Sequence, residues 1–179
     1  MKKVIIFLFI FVLSACSKPT VQKTPDEILL SIKDYSCKMQ ILSTSNKNVT
    51  NYSASQTYSS AGQYSMEFLD KENLKINYEN SILKITSSLF ENNFEIQNYK
   101  ELNQNPLFLS YFIHTYFNLE ESSLIEKDDT SIHITLPNYN NYIHSAKLTF
   151  NNNLPYTLTY FDENGNEKVN IIYNEFTLI

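Results

Sequence analysis

The sequence predicts a mainly β, α+β fold: a strongly curved antiparallel sheet, or incomplete β-barrel, of about 9–11 strands with two helices. Three observations lead to this prediction. From Tyr35 onward, apolar and polar residues mostly alternate with a period of two, as in strands with one buried face. Short polar turns interrupt the alternation at near-regular spacing, which indicates consecutive hairpins. Two other stretches, near Pro25 and Pro106, carry helix-start signals instead.

The N-terminal segment has the pattern of a secretory signal. Residues 1–3 include two lysines, residues 4–13 are all apolar, and small residues precede Cys16. The apolar block is shorter than the ~20 residues that a membrane-spanning helix needs. The run Leu-Ser-Ala-Cys at residues 13–16 resembles the bacterial lipobox, which implies removal of residues 1–15 and acylation of Cys16. The alternative is a secreted protein in which Cys16 has no such role.

An acylated Cys16 would anchor the protein to the extracytoplasmic face of the cell membrane without spanning it. Residues 16–23 would then be the lipidated N-terminus and a polar tether, and residues 24–179 a single domain, since no repeat or second boundary is visible. Without Lys2 and Lys3, 12 lysines face 19 acidic residues, a net charge of −7. A net acidic chain without arginine is a poor candidate for binding nucleic acid, whose phosphates need cationic contacts.

The first predicted helix follows the tether directly. Thr24 is expected to cap it, with Pro25 at the first helical position and Glu27 completing a capping box. A strand over residues 35–42 comes next and has Cys37 on its apolar face. We therefore expect Cys37 to be a buried structural thiol. With the other cysteine acylated, no disulfide is expected.

The rest of the predicted sheet is made of short strands joined by polar turns. The Asn164-Gly165 pair is the strongest turn signal, because a tight hairpin needs residues that adopt positive φ values. The last strand is expected to direct Val169, Ile171 and Tyr173 inward. The further strands are predicted at residues 52–59, 64–68, 74–78, 82–86, 94–96, 124–127, 131–136, 143–150, 154–160 and 167–176.

The most apolar part of the chain after its N-terminal segment is a second predicted helix, over residues 106–119. Asn105 is expected to cap it and Pro106 to occupy its first turn. Its wide aromatic face has to be covered, either by the concave side of the sheet or by a partner or lipid. The candidate contact residues are Phe108, Tyr111, Phe112, Tyr116 and Phe117.

Residues with catalytic chemistry form no recognisable motif. The two glycines, Gly62 and Gly165, are too few for a glycine-rich phosphate loop. The three histidines, His114, His133 and His144, lack metal-ligand spacing, and no serine lies in a nucleophile-elbow motif. A Ser-His-Asp arrangement formed only in space is left open by composition. The sequence thus predicts no enzyme, no catalytic residue, no metal and no cofactor.

Several features together resemble the clostridial germination lipoproteins of the GerS type. They are the lipobox, the Thr-Pro-Asp-Glu helix start at residues 24–27, the strand opening Tyr-Ser-Cys-Lys-Met at residues 35–39, the aromatic helix, and the closing run around Asn164-Gly165. More distantly, the layout resembles the LolA/LolB lipoprotein-carrier fold. The resemblance implies an incomplete β-barrel wrapped around helices and a non-enzymatic role.

The resemblance also implies two alternative functions. GerS-like proteins act with the cell-wall amidase CwlD on spore cortex peptidoglycan. This implies an amidase-activating lipoprotein of the spore or forespore membrane that is needed for germination. Exposed strand edges would allow strand addition, or a homodimer formed by strand exchange. The LolA/LolB branch implies a lipid or lipoprotein carrier with an apolar cavity, although that family commonly uses a cavity arginine and this chain has none.

Overall fold

The computed structural model describes residues 22–45, 48–70, 73–88, 93–99, 105–140 and 142–179. Within them lie two helices, α1 (Pro25–Ser31) and α2 (Leu109–Phe117), and a short 3-10 helix at Glu121–Ser123. The strands are β1 (Tyr35–Thr44), β2 (Val49–Ser59), β3 (Gln63–Phe68), β4 (Lys75–Glu79), β5 (Ile82–Thr86), β6 (Phe94–Gln97), β7 (Leu124–Lys127), β8 (Ser131–Asn140), β9 (Ile143–Asn151), β10 (Leu154–Phe161) and β11 (Glu167–Leu178).

All these strands form one curved, open antiparallel sheet in the order β6-β5-β4-β3-β2-β1-β11-β10-β9-β8-β7. The first and last strands pair at its centre, and the two end strands, β6 and β7, come from the middle of the chain. The chain between β6 and β7 contains α2, which crosses the inner face of the sheet. The predicted fold class is therefore confirmed, and the described residues contain eleven strands and two α-helices.

The hairpin turns follow from residues that tolerate positive φ. Asn80-Ser81 and Asn152-Asn153 each form a two-residue turn, with φ values between 51° and 62°. This is the type I′ geometry that continues the strand twist. Gly165 also has positive φ, 77°, as predicted, but Asn164 does not. The loop before β11 is instead closed by a hydrogen bond from the Gly165 amide to the Asp162 carbonyl, at 3.0 Å.

The core lies between the inner face of the sheet and the two helices. The alternation predicted for β1 is confirmed, because Tyr35, Cys37, Met39 and Ile41 are buried while the residues between them are half-buried or exposed. The capping box of α1 is also confirmed. The Glu27 amide donates to Thr24 Oγ1 at 3.4 Å, and the Thr24 amide donates to Glu27 Oε2 at 2.8 Å.

The start of α2 was predicted too early. The helix begins at Leu109, and Phe108 before it is extended, with φ −96° and ψ 134°. The Asn105 side chain accepts a hydrogen bond from the Leu107 amide at 3.0 Å, so it closes a turn and does not cap the helix. The extended Phe108 directs its ring into the core, where it lies 4.3 Å from the ring of Tyr64. Because packing of this ring in the core keeps Phe108 extended, the helix begins after Phe108 and not at Pro106.

Candidate functional site

The predicted lipidation site lies outside the described residues, so acylation of Cys16 stays a prediction. Where the described chain begins, the Lys23 amide donates to Asn153 Oδ1 in the β9–β10 turn, at 2.9 Å. The chain therefore enters the fold beside this turn and continues into α1 at Pro25. Among the described helices, none is long and apolar enough to cross a membrane.

The aromatic helix α2 mainly supplies core. Phe108 and Phe112 are fully buried, which places two of the five candidate contact residues inside the fold. Tyr111 and Tyr116 are half-buried, and Phe117 is 46% exposed. These positions favour the interpretation in which the helix packs into the concave side of the sheet. Of the five residues, Phe117 is the most accessible to a partner.

Three polar side chains of the sheet hold the chain as it enters α2. The hydroxyl of Tyr160 donates to the Pro106 carbonyl at 2.6 Å, and Gln56 Nε2 donates to the Leu107 carbonyl at 3.2 Å. Tyr35 donates its hydroxyl hydrogen to Gln56 Oε1 at 2.5 Å. All three side chains are at least 99% buried.

Burial raises the pKa of Tyr35 well above its ordinary value, and the backbone of Ser110 and Leu109, the first two residues of α2, partly opposes this rise. Phe108, at the N-cap position, makes no side-chain capping hydrogen bond. We call Tyr35, Gln56 and Tyr160 the helix clamp. Nothing in the local sequence indicated it, because its partners lie 21 to 54 residues apart.

A second polar group joins both helices to the end strand β7. Tyr116 of α2 donates its hydroxyl hydrogen to Asp26 of α1 at 2.6 Å. Lys127 of β7 donates to Asp26 and, at 3.1 Å, to the Tyr116 hydroxyl. Hydrogen bonds from Lys127 and then Tyr116 lower the pKa of Asp26, and the hydrogen bond to Asp26 raises the pKa of Lys127. We call these three residues the latch.

The other end of the sheet has exposed apolar side chains on its inner face. Phe94 and Ile96 of β6 lie opposite Ile85 and Leu83 of β5, yet they are 55% and 47% exposed. All four residues of β6 are exposed, and no described strand lies beyond it. We call Phe94, Ile96 and the half-buried Ile85 the β6 patch. It combines a strand edge with apolar side chains, the two features that strand addition uses.

One serine and one histidine come together on the outer face of the sheet. His133 Nε2 lies 3.1 Å from Ser145 Oγ, and burial, followed by the Lys147 charge, lowers the pKa of His133. The Ser145 side chain is buried, and the ring of Phe161 lies 5.5 Å from the histidine ring. Only 5% of the Ser145 surface is exposed, which is unfavourable for attack on a substrate carbonyl carbon. We interpret the pair as a structural hydrogen bond.

The buried cysteine and the metal-ligating residue types complete the survey of reactive side chains. Burial raises the pKa of the Cys37 thiol to about 12, so the thiol stays protonated and unreactive at neutral pH. This agrees with the buried structural thiol expected from the sequence. No group of three metal-ligating side chains occurs within the described part of the chain.

The open sheet, its internal helix and its exposed end strands define the class: a mainly β protein whose inner face is partly covered by its own aromatic helix. The chain belongs to the YdcC-like sporulation protein family, whose profile matches residues 1–178. No protein with a curated description matches it.

Solved structures with TM-scores above 0.5 share this fold at low sequence identity. An uncharacterized conserved protein from Thermus thermophilus matches with a TM-score of 0.54 and 11% identity over 86% of each chain. The GerS lipoprotein, solved in complex with the CwlD amidase from Clostridioides difficile, matches with a TM-score of 0.53 and 22% identity, over 88% of this chain and 98% of that one. A LolA superfamily protein, NE2245 from Nitrosomonas europaea, matches with a TM-score of 0.40 and 10% identity, over 88% and 94% of the two chains.

Proposed function

We propose that this chain is a lipid-anchored extracytoplasmic protein that binds and activates a cell-wall amidase of the CwlD type, and is needed for spore germination. The observation that carries the proposal is the match to GerS, a lipoprotein solved in complex with that amidase, over nearly the whole of both chains. Membership of a sporulation protein family supports the same cellular process. In this proposal the protein has no catalytic activity of its own.

The β6 patch is the surface that we propose for the amidase. Its strand edge offers backbone hydrogen bonds to an extended segment of the partner, and Phe94 and Ile96 offer apolar contact beside them. The inner face under α2 is already occupied by Phe108 and Phe112. The binding free energy of a partner is therefore most favourable where it buries apolar surface that the helix leaves exposed.

Amidase assays with purified components test this interface. The full-length protein alone should release no peptide stems from peptidoglycan, while the amidase should be more active with it than without. Ile96→Lys should abolish most of the activation, because it places a charge in the apolar contact. Gln97→Lys is the matched control, since it adds the same charge on the same strand but on the other face. Equal amidase activity with and without the wild-type protein would refute the proposal.

Membrane attachment through Cys16 is a separate prediction. Cys16→Ala should yield an unprocessed or soluble protein, because the polar tether has no apolar surface that holds a bilayer. Fractionation of cells and intact-mass measurement check this result. A processed Cys16→Ala protein that still sediments with membranes would show that another feature anchors the chain.

The end strands also favour a second mode of contact, a homodimer formed by strand exchange. Every residue of β6 and of β7 is exposed, and the two strands lie at the two ends of the sheet. Light scattering on the full-length protein in detergent would distinguish a dimer from a monomer. If dimerisation uses β6, the Ile96→Lys variant should shift toward the monomer before any amidase is added.

A lipid or lipoprotein carrier is the second candidate function. The exposed Phe94 and Ile96 on the inner face favour it, because acyl chains would be covered there as a partner protein would. Mass spectrometry of organic extracts from the purified protein distinguishes the two functions. Bound acyl chains together with unchanged amidase activity would favour the carrier.

A further inference from the structure

A separate concave site lies where the chain enters the fold. A cavity of about 300 Å³ lies between the β9–β10 turn, the β7–β8 turn and the start of α1. Its lining includes Lys23, Ile28, Asp129, Thr130, Phe150 and residues 151–153. Neither the helix clamp nor the β6 patch contributes to it. The three consecutive asparagines give this turn a chemistry different from that of the other hairpins.

Polar groups of mixed hydrogen-bonding character surround this cavity. The side-chain amides of residues 151 and 152 both donate and accept hydrogen bonds, the Asp129 carboxylate accepts, and the Lys23 ammonium donates. The Thr130 hydroxyl already donates to Asp128, and Asn153 Oδ1 already accepts from the Lys23 amide, so these two side chains have only their remaining capacity for a ligand. Below them lie Ile28 and Phe150, which are 2% and 9% exposed and supply a small apolar base. A ligand that satisfies this set carries many hydroxyl or amide groups around a compact body with an apolar face.

Other ligand classes fit less well. A phosphate would meet a single lysine beside a carboxylate, and an apolar ligand would desolvate the amides of residues 151–153 without replacing their hydrogen bonds. A peptide strand would find no free edge in this turn, because Asn151 already pairs with Leu154 across the hairpin. Of these ligand classes, a sugar is the one that fits both the hydrogen-bonding groups and the apolar base of the cavity.

We infer that this cavity, the asparagine pocket, binds a short glycan of one or two sugar rings. Its volume is at the lower end of the ~300–1,000 Å³ range of ligand pockets, which limits the length bound. The glycan class follows from the cavity itself. Only the choice of a cell-wall sugar as the natural ligand rests on the proposed function, since a protein anchored through a short tether beside this pocket would meet wall glycan strands.

Asn152 allows a test that spares the fold. It is the first residue of a type I′ turn with φ 51°, so Asn152→Gly removes the amide while keeping a residue that adopts this backbone freely. Asn80 is the matched control, because it holds the same position in the β4–β5 turn with φ 52° and does not line the pocket. Both variants should unfold at the same temperature as the wild type or slightly above it.

Saturation-transfer NMR on the full-length protein in detergent measures binding directly, with the disaccharide of N-acetylglucosamine as the probe. The wild type and Asn80→Gly should transfer saturation equally, and Asn152→Gly at least fivefold less. An alanyl-glutamate dipeptide tested in parallel should show no transfer. Binding of the dipeptide in place of the sugar, no transfer in the wild type, or equal transfer in Asn152→Gly would overturn the inference.

The outcome of the sugar-binding experiment does not depend on the amidase. No amidase is present in the binding experiment, and Asn152→Gly should still activate the enzyme because the β6 patch is unchanged. A failure of sugar binding therefore leaves the amidase proposal untouched, and a failure of amidase activation leaves the asparagine pocket untouched.

Discussion

The two sides of the sheet differ in how completely the helices cover the strand next to each end, although the end strands β6 and β7 are both exposed. At one end, the inner residues Ile132 and Ile134 of β8 are fully buried, and the latch joins β7 to both helices. At the other end, Leu83 of β5 is the one residue of β4–β6 classed as buried, and Phe94 and Ile96 are about half exposed. The strands on both sides thus carry apolar residues on the inner face, but the helices cover those of β8 and leave those of β6 exposed.

The length of α2 accounts for this difference. Its nine residues span about 14 Å, while eleven strands spaced by about 4.8 Å extend several times further along the curve. The clamp holds the start of α2 near β2, and the latch holds its end near β7, so the helix covers one side of the sheet. Apolar residues beyond this reach stay accessible, which is why we expect the partner at β6.

The largest expected effect compares two inner-face isoleucines at opposite ends. Ile134→Ala should lower the free energy of unfolding by about 2–5 kcal/mol, because it leaves a cavity in packed core. Ile96→Ala should change it by less than about 0.5 kcal/mol, as is usual for exposed positions. Urea denaturation followed by circular dichroism measures both. Similar losses in the two variants would mean that β6 is covered as fully as β8.

Removal of one clamp hydroxyl should have the next largest effect. Tyr35→Phe leaves Gln56 Oε1 without its buried hydrogen-bond donor, which we expect to cost about 1–3 kcal/mol. Tyr58→Phe is the control, because its ring stacks on Tyr35 at 5.4 Å but is only half-buried. The same denaturation series applies. A Tyr35→Phe protein as stable as the control would show that the clamp does not position α2.

The latch should have the smallest effect, below about 1 kcal/mol, because Asp26 and Lys127 are 40% and 32% exposed. Since the folded pKa of Asp26 lies below 3.8, its contribution is present above pH ~4 and is lost as the pH falls through the folded value. Asp26→Asn should therefore lower stability at pH 6 more than at pH 2. In a Lys127→Met background this pH difference should shrink. An undiminished difference there would mean that Asp26 acts without Lys127.

Local patterns predicted most of the fold. Alternation in β1, the capping box at Thr24 and the positive φ of Gly165 all depend on neighbours in the chain, and the structure confirms them. The positive φ expected at Asn164 is absent. The weak strand signal at residues 94–96 was also correct. The start of α2 was wrong, because the choice between helical and extended Phe108 depends on its packing against Tyr64.

The candidate site was much less predictable. The aromatic residues of α2 were recognised as important, but their pattern did not indicate that Phe108 and Phe112 face the core while Phe117 is exposed. The β6 patch has no distinctive sequence, since its alternation matches that of buried strands. Its exposure depends on where α2 ends.

By itself, the sequence determined the strand period, the cap of α1, most of the hairpin turns and the lipobox pattern, because each depends on residues within a few positions of one another. The tertiary structure alone decided the clamp, the latch and the uncovered end of the sheet. The latch joins residues 90 and 101 positions apart, and the clamp reaches α2 from three different strands. Such contacts exist only after the sheet has curved around its helix, so local pattern carries no signal for them.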